Sequence, residues 1–422
     1  MNRKSILHGS VLVGLVLAAL FGVLRAQNAD AISQNLSQLK SQPLAGQTVY
    51  LPITNNKSAF YEGFDGDPAA PTPWQSPNWD ITVHSRNTSD NLYALTPMDA
   101  WHGLDCSPPP ATHQVATYEG AVYQCRDHLM TAINDENYGA IYLTPNQMVD
   151  FGNGEAVIRF DLSTLRTSGR DWITIWITPF DDNLQLPLED WLPDLSGEPR
   201  NAVKFSMSLF PDETTFQAQV VRNFNVQDVE DNPAMSYEDF LEPSAVRRDT
   251  FEIRISRDHL MFGMPDYNYW WIDADIQPLG WTQGVVQFSH HSYNPTKGCN
   301  TCGPNTWHWD NIRIVPSVPF TMIQADRRYV DASTPPFVNF SQPAPENAYL
   351  RFAGIGSQIE VSFDGGATWQ PAQVQDQRKY NSGAFWSYWT PIPAGVSTVY
   401  FRGGEWWGGD WHVRSISIWA RK

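Results

Sequence analysis

From residue 50 onward the chain is written in short runs that alternate apolar and polar positions. "AVIRFDL" (156–162), "WITIWIT" (172–178), "VKFSMSLF" (203–210), "TFQAQVVRNF" (215–224), "FEIRIS" (251–256), "GVVQFSHHSY" (284–293) and "WDNIRIV" (309–315) follow the two-residue period of strands. Pro, Gly, Asn and Asp separate them. Helical patterning is confined to short stretches such as "TPNQMVDF" (144–151). Strands at this spacing, without helices between them, predict an antiparallel sandwich over 50–316.

Prolines in "VPSVPF" (315–320) then interrupt the pattern, and a further set of strands follows: "AYLRFAG" (348–354), "QIEVSFDG" (358–365), "STVYFRGG" (397–404) and "HVRSISIWA" (412–420). About a hundred residues suffice for a smaller second β-sandwich over 317–422. At the other end, Arg3 and Lys4 precede an apolar run from Val11 to Leu24. This reads as a signal peptide over 1–31, with cleavage after Ala26 or after Ala31. An uncleaved anchor is the alternative, because Ile6 and Leu7 extend the run toward the ~20 residues a spanning helix needs. Both readings put the body outside the cytoplasm, secreted or at the cell surface. The stretch 27–48 is rich in Gln, Ser and Asn, and residues 32–49 read as a linker.

Composition narrows the partners. The 422 residues carry 45 acidic and 28 basic side chains, a net charge of −17, and no basic block breaks the acidic excess of the mature region. Nucleic acid is therefore excluded as an expected partner, and no membrane contact is expected beyond the N-terminal segment. Eighteen tryptophans help bring aromatics to 13%, which suits a β-sandwich and a carbohydrate-facing surface.

The opening "EGFDGDPAAPTPW…NWDITVHSRN" (62–87) and the closing "QFSHHSY…NTWHWDNIRI" (287–314) resemble the two ends of the concanavalin A-like lectin/glucanase jelly roll. The resemblance implies that the first and last strands of 50–316 lie near one another. It also implies a structural Ca²⁺ held by Asp310 with Glu62, Asp65 and Asp67. The hydrolases that most resemble this opening carry E-x-D-x-x-E or E-x-D-x-E on one strand, and that motif does not occur here. Asp273 and Asp275 in "WWIDADI" share a strand face and are the nearest candidate acid pair. A solvated strand end is the competing reading.

Four cysteines outside the cytoplasm read first as disulfides, Cys106 with Cys125 and Cys299 with Cys302. A four-thiolate zinc site is the rival, with only one C-x₂-C half present, and a redox dithiol is disfavoured by Gly303 and Pro304. Trp307 and Trp309 share one face of the last strand and stand either against sugar rings or in the core; His308 and Asp310 take the other face. "FWSYW" and "EWWGGDW" place Trp386, Trp406, Trp407 and Trp411 in the C-terminal segment, as candidate ligand contacts or as packing between segments. "SFDGGATW" (362–369) reads as an Asp-capped turn with Gly365 and Gly366 at positive φ. The expected function is an exported binder of polysaccharide or cell-surface glycan, non-catalytic. A polysaccharide-degrading enzyme on the same scaffold and a structural surface protein without a small ligand are the alternatives.

Overall fold

The computed structural model describes residues 59–65, 72–85, 93–94, 114–115, 122–125, 128–133, 139–164, 170–180, 199–209, 214–229, 247–293, 305–327, 329–373, 386–404 and 410–422. The expected signal peptide and linker, Asp67, Cys106, Cys299, Cys302, Trp406 and Trp407 lie outside these residues.

The alternating runs assemble into two antiparallel sheets packed face to face, an all-β jelly-roll sandwich. Sheet A has nine strands, in the order Tyr269–Asp275, His259–Met264, Arg247–Ile255, Ala156–Thr164, Asn305–Val315, His128–Ile133, Val122–Cys125 and Thr72–Pro73, with Phe60–Glu62 also paired to Asn305–Val315. The first and last strands of the sandwich are thus direct neighbours, as the resemblance implied. Sheet B begins with Asn225–Val229, Thr214–Arg222, Asn201–Leu209, Arg170–Thr178 and Gln283–Tyr293. Gly139–Pro145 pairs with Gln283–Tyr293 and carries Trp79–Ser85 at its side.

Between the two sheets lies a core to which alternate residues of their facing strands contribute. Phe160 of sheet A stacks on its cross-strand partner Phe251 at 5.8 Å and meets Phe288 of sheet B edge-on at 5.7 Å. Farther along, Phe216 of sheet B lies flat on Trp271 of sheet A at 3.7 Å. Aromatic pairs of this kind contribute about 0.5–1.5 kcal/mol each beyond their buried area. They also hold the sheets in one registration.

The stretch 144–151 is not helical: it forms the end of Gly139–Pro145 and the strand Gln147–Asp150. Val149 joins the sandwich core, whereas its neighbour Met148 joins a separate cluster on the opposite face. A strand buried on both faces shows no polar alternation, which is why its pattern is ambiguous.

Gln147–Asp150 also carries sheet B past the prolines. It pairs with Ser317–Gln324, and the sheet continues through His412–Arg421, Ala348–Ile355 and Trp386–Ile392. Residues 57–422 accordingly form one compact unit. The C-terminal segment has its own core, including Val330, Leu350, Val361, Phe401 and Ile418, over a four-stranded sheet that contains Thr398–Gly404. A third cluster lies at the seam, where Phe320 stacks on Trp419 at 4.7 Å and Phe180 meets Trp389 edge-on at 5.7 Å. The "SFDGGATW" turn forms as its residues dictate. Asp364 accepts from the Thr368 N–H at 2.9 Å and from Ser362 and Thr368 hydroxyls, which hold its carboxyl down at about 2, and Gly365 and Gly366 take φ of 77° and 90°.

Two buried ionisable groups give measurable consequences. Arg351 of the C-terminal segment pairs with Asp80 of sheet B, the side chains being 1% and 4% exposed. Breaking such a pair leaves an uncompensated charge and costs about 3–5 kcal/mol, whereas replacing both members by apolar residues is often neutral. Arg351→Met is therefore expected to lose about that much in urea unfolding, and Arg351→Met with Asp80→Leu to recover most of it. His308, buried on the outer face of sheet A with its ring centroid 4.9 Å from that of His128, has its pKa held well below the usual value, first by desolvation and then by the His128 charge. The unfolded chain therefore binds a proton near pH 6.5 that the native state refuses, so stability falls as pH drops below that value. The slope is up to about 1.4 kcal/mol per pH unit, and His308→Gln is expected to remove this component from pH-dependent urea titrations.

Candidate functional site

The residues of sheet B that do not enter the core line up in rows across its outer face. Strand pairing sets Gln219, Lys204, Trp176 and Gln287 side by side, and the Gln287 amide donates to Thr144 Oγ1 at 3.0 Å, with Asp80 in register beyond it. The next row runs Gln217, Ser206, Thr174, Ser289 and Tyr142; the third sets Trp172 and His291 together. Neighbouring members of a row stand one strand spacing apart, about 4.8 Å. The face is thus a grid of amides, hydroxyls and aromatic rings.

The grid is tightly bonded at its centre. Trp172 stacks on the His291 imidazole at 5.2 Å with 3° between planes, and Tyr142 meets the same imidazole edge-on at 5.5 Å. Ser289 Oγ donates to the Thr174 carbonyl at 2.8 Å and lies 2.8 Å from His291 Nε2. With the serine proton on Thr174, it is His291 Nε2–H that donates to Ser289. A serine nucleophile needs the opposite polarity, with histidine as acceptor, so this pair is a structural bond. Lys204 sits over the Trp176 ring at 4.7 Å. Trp176 Nε1 is buried without a hydrogen-bond partner among the described residues. Thr174, Ser289, His291 and Tyr142 are buried, while Trp172, Lys204, Gln217 and Gln219 remain partly exposed.

Carboxylates are sparse in these rows. Asp80 is paired with Arg351, and Asp228 accepts from Gln217 at 2.9 Å and Gln219 at 2.7 Å on the far edge strand. Six strand spacings separate the two acids, roughly 29 Å, against the ~5–5.5 Å or ~6.5–9.5 Å that retaining or inverting glycoside hydrolysis needs.

Asp273 and Asp275 stand elsewhere, exposed on the edge strand of sheet A. Both face His259, whose Nε2 is 3.1 Å from Asp273 and whose Nδ1 is 2.8 Å from Asp275. The two acids clasp one imidazole at a solvated strand end, on a different sheet from the polar rows. Trp307 and Trp309, candidates for sugar contact, are both 0% exposed, with Trp309 Nε1 donating to Thr131 Oγ1 at 3.1 Å. They are core residues, because the closing strand lies inside sheet A and must bury one face. Trp411 is likewise buried, in the C-terminal core, against Gly356 and Gly403, where a Cβ would come within 2.7 and 2.9 Å of it. Trp386 opens the strand Trp386–Ile392.

Of the described acids named for calcium, Glu62 turns away from Asp310. Asp310 is bound by Arg248, and its Oδ1 accepts from the Asn311 N–H at 2.7 Å. Arg248 also reaches Asp161 at 3.2 Å, as does Asn311 Nδ2 at 2.9 Å. A register shift opposite Arg159 and a φ of 49° at Asn311 let these side chains meet. Glu62 projects the other way, accepting from Trp79 Nε1 at 3.2 Å and from the Phe64 N–H at 3.1 Å. No group of three or more His, Cys, Asp or Glu among the described residues is placed to hold a metal. Asp65 is exposed, Asp67 is outside the described residues, and a guanidinium supplies the positive charge beside Asp310. Cys125 ends the strand Val122–Cys125.

The rows on sheet B were not among the expected sites, because each row joins residues of several strands. The signal was present in "WITIWIT" and "QFSHHSY", whose polar positions alternate with core residues on strands that pair.

No protein-family model matches the chain, and no curated protein matches it by sequence. Among solved structures it is similar to a glycoside hydrolase family protein from Mycobacterium thermorestibile, with 12% identity, 60% of this chain and 99% of that chain covered, and a TM-score of 0.35. It is also similar to a Bacillus licheniformis β-glucanase, with 10% identity, coverage of 62% and 99%, and a TM-score of 0.36. A glycoside hydrolase family 16 endo-glucanase from Bacteroides ovatus gives 13% identity, coverage of 61% and 99%, and a TM-score of 0.37. At this distance the likeness carries no inference about activity.

Proposed function

We propose that the outer face of sheet B is the ligand surface of an exported protein that binds neutral polysaccharide without cleaving it. The observation that carries this reading is the register of amides, hydroxyls and aromatic rings across the sheet. Amides and hydroxyls both donate and accept without charge, which matches sugar hydroxyls, and indole faces stack on the apolar C–H faces of pyranose rings. A chain lying across the strands meets a new side chain about every 4.8 Å. The partly exposed half, around Trp172, Lys204 and Gln219, is where it would enter. Within these rows, Asp80 and Asp228 stand too far apart to act as an acid pair. Export also accounts for the four cysteines, as two local disulfides.

Affinity electrophoresis of the full chain through neutral and uronate-bearing polysaccharides tests the proposal. A neutral glycan is expected to retard the protein, and Trp172→Ala to weaken that retardation at least about fivefold, the equivalent of ~1 kcal/mol. Equal retardation of wild type and variant by every glycan, or none of either, would overturn it. Release of reducing sugar would favour the polysaccharide-degrading alternative, with its acids outside the described residues.

A further inference from the structure

Strand pairing on the outer face of sheet A sets Tyr61, Arg313, Arg159, Glu252, Gly263 and Trp270 in one row, across six strands and about 24 Å. Arg254 follows Glu252 by two residues on the same strand and so shares its face. Ile158, Ile253, Ile312 and Ile314, which alternate with these positions, are buried in the core. Arg159 and Arg313 are thus direct cross-strand partners on the outward side of the sheet. Like charges opposed in this way are destabilising unless something of opposite sign joins them.

Among the described residues, the carboxylates here do not match the guanidinium groups. Glu252, its side chain 2% exposed, accepts from Arg159 Nε at 2.7 Å and from Arg254 Nε at 2.7 Å, so one buried carboxylate serves two cations. Glu155 stands 3.9 Å from Arg254, and Arg313 is exposed with no ion pair among the described residues. The neighbouring acids are engaged elsewhere: Asp161 and Asp310 by Arg248, Asp273 and Asp275 by His259. Glu252 also anchors Arg159 and Arg254 from below while both side chains stay partly exposed. Arginines held in this way have less freedom left to lose on binding. Trp270 lies beneath the Arg254 guanidinium at 4.8 Å, and Tyr61, 58% exposed, flanks Arg313.

A group of arginines with too few carboxylates, on a chain of net charge −17, calls for an oxyanion. The planar fork of each guanidinium matches a carboxylate or sulfate group through two parallel hydrogen bonds. The exposed ring of Tyr61 suits the C–H face of a sugar that carries such a group. A nucleic-acid duplex or an anionic bilayer would face the acidic excess of the whole chain over a wide area, whereas a single glycan strand can follow this one row. We propose that the outer face of sheet A, along Arg159, Arg254 and Arg313, binds an anionic polysaccharide through its carboxylate or sulfate groups. The inference goes beyond the neutral-glycan reading of sheet B and does not rest on it, because Arg313 and Trp172 stand on different sheets.

The test is isothermal titration calorimetry of the full chain with polygalacturonate and with dextran sulfate. Saturable binding of at least one polyanion is expected, and the tighter of the two identifies the anionic group recognised. Arg313→Gln should weaken that binding at least about fivefold and Arg313→Glu should abolish it, while Trp172→Ala leaves it unaltered. Without polyanion, Arg313→Gln should melt at the same temperature as the wild type or higher, since it relieves the opposed charges of Arg159 and Arg313. That second measurement separates a lost contact from a damaged fold. No saturable binding of either polyanion, binding unchanged in Arg313→Gln, binding lost in Trp172→Ala, or a lowered melting temperature of Arg313→Gln would each overturn the proposal.

Discussion

A carboxylate and a guanidinium buried together organise the way the two parts of this chain meet. Asp80 lies on the outer face of sheet B and Arg351 on a strand of the C-terminal segment, 271 residues apart. Neither charge could remain in so dry a place alone, because desolvating one ion costs several kcal/mol. Their pairing makes association of the segments a condition for burying either. Trp419 completes the arrangement, with the Arg351 guanidinium 5.1 Å from its ring centroid and its Nε1 donating to Ser417 Oγ at 2.7 Å. The prolines that break the local pattern at 315–320 therefore mark a change of core and leave the sheet unbroken.

The same pair shapes the candidate surface. Arg351 occupies Asp80, the acid at one end of the polar rows, and Gln217 and Gln219 occupy Asp228 at the other. What remains between them in these rows is amides, hydroxyls and aromatic rings with one ammonium, Lys204, an arrangement suited to hydroxyl-rich ligands. On sheet A the logic is similar: Arg248 gathers Asp161 and Asp310, with Asn311 and the Tyr61 hydroxyl extending the network. The acidic excess of the chain is thus locally neutralised by single arginines at several points.

Much of the fold was legible from alternation alone. Arg247–Ile255, Gln283–Tyr293 and Asn305–Val315 lie where apolar residues recur at every second position, and His290 and His291 divide between core and outer face as adjacency on a strand demands. The "SFDGGATW" turn was legible because its hydrogen bonds are local. The candidate site was much less so. Trp307 and Trp309 read equally well as ligand contacts or as core, and Trp411 as a ligand contact or as packing between segments, since an indole has the chemistry for each. Asp273 and Asp275 were legible as sharing a face, yet nothing local to them announces that His259 lies between them.

Alternation along the chain already carries the class of fold, the strands and the faces they bury, because it is a property of each strand alone. Tertiary structure decided which strands became neighbours, and with that everything that depends on register. It brought Gln219, Lys204, Trp176 and Gln287 into one row from four separate strands and joined Asp80 to Arg351. These are relations between residues far apart in the chain, set by packing two faces of a sheet at once, and no short stretch carries them.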